Sequence, residues 1–213
     1  MGKNKLKHFA EMETFTNVFQ KATGMKGKWN EVFFQNKNPI TLELGCGKGE
    51  YSLALARLYP ERNFIGIDIK GARIWRGAKT ALEEGIKNVC FLRAQIDHLP
   101  EYFEQNSVDE IWLTFSDPHP PLHEAKKRLT SLKFISIYHQ VLKPDGIIHL
   151  KTDSTILYQY TLEIIEELKL KLIYHSADIY SGELYDKILD AKTYYENIHL
   201  KLGKTIKYVK FGL

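Results

Sequence analysis

Apolar and polar positions in this 213-residue chain fall into two alternating kinds of stretch. Short, nearly continuous apolar runs near 40–44, 63–68, 88–93, 108–114, 146–152, 169–176 and 205–211 predict strands, most of them buried on both faces. Between them, apolar residues three and four apart predict helices near 51–59, 72–84, 130–142 and 154–167. Strands separated by helices imply a parallel sheet covered on both faces. Pro60, Gly85 and the Lys143-Pro144-Asp145-Gly146 turn punctuate the element ends. Only an irregular stretch and a short helix separate the last two strands, so the final strand is expected to run antiparallel. The expectation is a doubly wound α/β domain over residues 39–213, its seven-stranded sheet mostly parallel with an antiparallel last strand, preceded by a segment of residues 1–38.

In such sheets ligands bind outside the carboxyl ends of the strands, so those ends carry the chemistry. The first run, ITLEL, opens into Gly45-Cys46-Gly47-Lys48-Gly49 and then a helical pattern. Glycines are needed where φ is positive or where a ligand lies on the backbone. A dinucleotide fingerprint would place the third glycine one position later. Glu43, just before the loop, would repel a pyrophosphate but suits a cationic ligand such as the methionine part of S-adenosylmethionine. The second run, NFIGID, closes on Asp68, about 20 residues past the loop, where a Rossmann-like fold places the acid that binds ribose hydroxyls. Gln95 or Asp97, after the third run, can hydrogen-bond an adenine edge. The fourth run leads into Asp117 and a proline-rich loop, Pro118-His119-Pro120-Pro121, which fixes the backbone and presents a carboxylate as a catalytic position does. Lys126, Lys127, Arg128 and Lys133 follow as a candidate phosphate-binding patch. His119 and His123 are four apart in a proline-broken loop without partner ligands, so no metal site is expected.

Composition adds two constraints. No apolar stretch reaches the roughly 20 residues of a membrane span, and the N-terminus lacks a signal peptide's apolar segment, so a cytoplasmic protein is expected. The chain's formal charge of +4 is carried by residues 1–38, with seven lysines against three glutamates. A basic segment of this kind suits contact with a polyanion. Cys46 and Cys90 are expected to be reduced core residues.

In order along the chain, ELGCGKGEY, IGID, FSDPHP, KKRLT, HLKTD and T-x-Y-E followed by a glycine resemble the bacterial tRNA (guanine-N7)-methyltransferases. The resemblance runs from about Leu42 to the C-terminus. It implies methyl transfer from S-adenosylmethionine to the variable-loop guanine at position 46 of tRNA, by a monomer or homodimer. It implies a cofactor site lined by Glu43, Gly45, Gly47, Gly49, Asp68, Gln95 and Asp117, with Asp117 also catalytic, and a guanosine site of Asp153, Thr193, Tyr194, Tyr195 and Glu196. The family usually has an acid at Gln95, Trp at His119 and Lys at Pro121. Read from the residues alone, Thr193 and Glu196 form a capping box. Guanine N7 has an in-plane lone pair and no proton, so attack on a sulfonium methyl needs no general base, metal or covalent intermediate. Two rival readings are a methyltransferase for a small molecule or protein and a non-catalytic RNA-binding module on the same fold.

Overall fold

The computed structural model describes residues 2–213, with side chains from Leu6 onward. The chain forms two compact units, one ending at Glu104 and one spanning Gln105–Leu213.

The first unit runs α1 (Gly2–Met12), β1 (Val18–Gln20), a π-helical segment Trp29–Phe34, β2 (Ile40–Leu44), α2 (Glu50–Leu58), β3 (Asn63–Asp68), α3 (Gly71–Glu83), β4 (Val89–Arg93) and α4 (Leu99–Tyr102). Its strands pair in parallel in the order β1-β4-β3-β2. All residues of β2 and β3 are buried, polar ones included, as expected for parallel strands covered on both faces. Each fully buried Leu or Ile there contributes about 1.5–3 kcal/mol relative to exposure. Helix α3 buries Ile74, Gly77, Ala78 and Ala81, the spacing of one helical face. The register brings the ends of three strands level: Gln20 pairs with Arg93 and Arg93 with Asp68.

The basic N-terminal segment is folded into this unit. Trp29 is buried, donates from Nε1 to the Tyr102 carbonyl at 2.9 Å and stacks on Phe103. Helix α1 lies on α3, where Glu11 accepts from Trp75 Nε1 at 2.9 Å and Lys79 Nζ at 2.7 Å.

The second unit runs β5 (Val108–Thr114), α5 (Leu132–Tyr138), β6 (Leu142–Thr152), α6 (Thr155–Glu167), β7 (Lys171–Ser176), α7 (Tyr194–Lys201) and β8 (Lys207–Gly212). β5 and β6 are parallel, whereas β8 is antiparallel to both β6 and β7. Ser154 caps α6 by accepting from Leu157 N at 3.2 Å. β6 begins four residues before the expected start, because the Lys143–Gly146 turn is absorbed as a register shift against β5.

The fold is α/β and Rossmann-like, with antiparallel pairing confined to the last strand, as expected. The described residues hold eight strands rather than the expected seven. The additional one is β1. Three residues give no readable alternation, and this strand depends on its pairing with β4 rather than on a pattern of its own.

Candidate active site

The turn after β2 is made by three glycines in the left-handed region: φ is +77° at Gly45, +56° at Gly47 and +70° at Gly49. Their surroundings differ. A Cβ at Gly49 would fall 2.4 Å from the Phe91 ring, and one at Gly77 would fall 2.5 Å from the Lys48 carbonyl, so this pair lets the loop, β4 and α3 close on one another. At Gly45 and Gly47 a Cβ would meet nothing within 4 Å. There bare backbone faces open space, a cradle that fits a ligand such as S-adenosylmethionine.

The cradle is held from beneath. The amides of Gly45 and Cys46 donate to the Ile67 carbonyl at 2.8 and 3.0 Å. Asp68 accepts from Gly47 N at 3.0 Å through one oxygen and from Lys70 N at 2.7 Å through the other. Glu43 is buried; its Oε2 accepts from the amide of Ser52 at 2.8 Å and from the same residue's hydroxyl. Its carboxylate thereby satisfies a first-turn amide of α2 and lies at the positive end of the helix. Cys46 and Cys90 are free, and burial pushes both thiols well up, with Glu43 and Asp68 adding to the effect at Cys46.

Beyond Asp68 a pocket of about 520 Å³ is lined by Gln20, Lys21, Ile69, Arg93, Ala94 and Gln95. Gln95, one of the two residues considered for an adenine contact, is thus among the lining residues. Asp97 is not among the lining residues. Ile69 is 51% exposed, an apolar surface beside the Asp68 carboxylate.

In the second unit, the loop after β5 carries two non-glycine residues with positive φ, Phe115 at +50° and His119 at +40°. Each is a strained conformation of about 1–3 kcal/mol that its surroundings must enforce. At His119 Arg128 does this: buried, it donates to the carbonyls of Pro118 at 3.0 Å, His119 at 3.1 Å and Pro120 at 3.3 Å, and lies over the Tyr160 ring. Arg128 therefore drops out of the phosphate-binding patch read from KKRLT. Lys127 is paired with Glu124, while Lys126 is exposed. Asp117 itself is 70% exposed and accepts from His119 N at 3.0 Å.

The same end of this unit gathers the other residues expected at the substrate. Phe115 N donates to the Lys151 carbonyl at 2.8 Å, and its ring stacks on His199 of α7. Asp153 accepts from Lys204 Nζ at 2.6 Å and lies 3.3 Å from His199. Thr193 and Glu196 form the expected capping box of α7. Glu196 is 0% exposed, and its carboxylate accepts from Lys151 Nζ at 2.8 Å and from Tyr180 OH at 2.7 Å. The remaining donors of Lys151 go to the carbonyls of Leu189 at 2.8 Å and Ala191 at 3.1 Å. Burial lowers the Lys151 pKa, opposed by Glu196; burial and the Glu196 carboxylate both raise that of Tyr180. Tyr194 and Tyr195, 55% and 52% exposed, are the parts of the segment open to a ligand.

Residues 37–209 match a family model described as putative methyltransferase. The tRNA (guanine-N(7)-)-methyltransferase of Bacteroides thetaiotaomicron is 49% identical over all of this chain and 87% of its own length. That of Christiangramia forsetii is 50% identical over 99% of this chain and 98% of its own. The chain belongs to this methyltransferase family.

Among solved structures, the 16S rRNA methyltransferase KamB is similar in fold, with a TM-score of 0.64 at 15% identity over 86% of this chain and 91% of that one. A SAM dependent methyltransferase from Aquifex aeolicus gives 0.55 at 18% identity over 90% and 85%. Within the family frame, three supporting residues were not legible in the sequence. Lys151 and Arg128 stood in the family's motifs without these roles. Tyr180 lay in an irregular stretch.

Proposed function

We propose that this protein transfers the methyl group of S-adenosylmethionine to N7 of a guanine in tRNA, the variable-loop guanine at position 46. The observation that carries this reading is the full-length identity to relatives named for that reaction, and the geometry of each unit is consistent with it. When bound, the cofactor supplies an electrophilic sulfonium methyl. Gly45 and Gly47 offer it backbone, Asp68 offers the ribose hydroxyls its remaining lone pairs, and Gln95 faces the adenine edge. Residues 105–213 supply the tRNA side. Asp117 offsets the positive charge that the purine gains as N7 is methylated, and the orientation of the base contributes the rest of the rate. Asp153 and the segment Thr193–Glu196 hold the guanosine, with Tyr194 and Tyr195 presenting rings for stacking and Glu196 fixing the segment from below. N7 carries no proton, so these residues orient and stabilise rather than remove one.

The test is methyl transfer from labelled S-adenosylmethionine to tRNA, to a ribosomal RNA fragment and to a protein mixture. Transfer to tRNA alone, falling steeply with salt, is expected. Transfer to protein, or cofactor binding without transfer, would favour one of the rival readings.

A further inference from the structure

The pocket beside Asp68 contains a group that the cofactor reading does not use. Lys21 follows β1 directly, at φ +52°, on the same sheet edge as the ends of β3 and β4. It lines the pocket with Gln95 and Ile69. The neighbouring polar side chains are already committed. Arg93 donates to Gln20 Oε1 at 3.0 Å and to the Ile69 carbonyl at 3.3 Å, and its guanidinium lies 4.9 Å from the centre of the Phe9 ring of α1. Among the described residues the Lys21 ammonium and the Gln95 carboxamide make no hydrogen bond or ion pair. The pocket therefore has a rigid wall, Gln20-Arg93-Ile69, and two side chains free to meet a ligand.

We infer that Lys21 is a further cofactor-binding residue, donated by the N-terminal segment to the adenosine end of the site and positioned by the Arg93–Gln20 hydrogen bond. The inference rests on the cofactor reading given above. The chemistry favours it: an adenine presents ring-nitrogen acceptors as well as its amino donor, and a ribose presents hydroxyl oxygens. Gln95 can serve either kind of partner, and an ammonium supplies charge-assisted donation to the acceptors. The parallel pairing of Gln20 with Arg93, and of Arg93 with Asp68, sets Lys21 one residue beyond the row that ends in the ribose-binding acid. It also gives the N-terminal segment a task other than contact with a polyanion.

Calorimetric titration of the full chain with S-adenosylhomocysteine tests this. Lys21→Met keeps the aliphatic stem and removes the donor; it is expected to weaken binding about five- to tenfold, the effect of one partly solvated charge-assisted hydrogen bond. At saturating cofactor its kcat on tRNA should equal that of the parent while KM for S-adenosylmethionine rises, and Lys21→Arg should recover most of the affinity. Asp68→Asn is titrated in parallel. If Lys21→Met binds as tightly as the parent while Asp68→Asn is weakened, the inference about Lys21 is wrong and the cofactor site stands. If both bind as the parent does, the cofactor site itself has been misassigned, and the inference falls with it.

Discussion

Replacing Glu196 with glutamine isolates the role of its charge, because glutamine can still close the capping box with Thr193. What it cannot do is balance Lys151. Both side chains are 0% exposed, and without the carboxylate the Lys151 ammonium loses its buried counter-charge while keeping the Leu189 and Ala191 carbonyls. Breaking a buried pair in this way costs about 3–5 kcal/mol. The structure also sets a ceiling. A stranded lysine can lose its proton, at about 1.36 kcal/mol for each pH unit between 7 and its ordinary value near 10.4, or about 4.6 kcal/mol. At about 2–4 °C per kcal/mol for a chain of this size, Glu196→Gln should lower Tm by roughly 6–18 °C at pH 7. Urea denaturation of the parent, Glu196→Gln, Lys151→Met and the double variant completes a cycle. The double variant should be less destabilised than the sum of the singles by about 2 kcal/mol or more. A single variant within about 1 kcal/mol of the parent, or strict additivity, would refute the reasoning.

Three further predictions concern the loop, the core and the basic segment. Gly47→Ala should cost only the roughly 1–2 kcal/mol of a left-handed alanine while impairing cofactor binding, whereas Gly49→Ala, with its Cβ 2.4 Å from Phe91, should destabilise the fold by several kcal/mol more, both read by denaturation and titration. Burial holds the His149 pKa below its ordinary value despite Glu110 at 2.9 Å, so as pH falls below about 6.5 the unfolded chain takes up a proton that the folded one refuses. Stability should therefore fall with acid below that pH, and Tm measured from pH 5 to 8 should show a shallower decline in His149→Gln. Because Met12 is buried and β1 pairs with β4, the basic segment is better tested by charge than by truncation. Changing Lys3, Lys5 and Lys7 to Gln should reduce the salt slope of tRNA binding by about 0.7–0.9 for each phosphate no longer neutralised and leave cofactor affinity intact; an unchanged slope would remove these lysines from the interface.

Much of the fold was legible because burial on both faces writes parallel strands as apolar runs. Ile40–Leu44, Asn63–Asp68 and Val108–Thr114 form with the expected bounds. Glycine chemistry was equally readable: the loop after Leu44 needs positive φ at three places, and only glycine supplies that cheaply. What stayed hidden depends on tertiary partners. Strand β1 has no pattern without β4, and the helix expected over 130–142 shortens to Leu132–Tyr138, with Val141 giving its carbonyl to the amides of Ser107 and Val108. The charged residues were hardest to place. Arg128 reads as a surface cation and proves a buried clamp on three carbonyls. Glu196 reads as a cap and also neutralises a lysine 45 residues away. Sequence spacing shows that a charge exists, while only the folded chain shows what neutralises it.

The most direct measurement is to locate the product base on a tRNA transcript incubated with the full chain and S-adenosylmethionine, by chemical cleavage at 7-methylguanine. One modified base is expected, guanine 46 of the variable loop, with no product on a transcript carrying adenine there. Methylation at another atom or another position, or equal methylation of the adenine transcript, would contradict the proposed function.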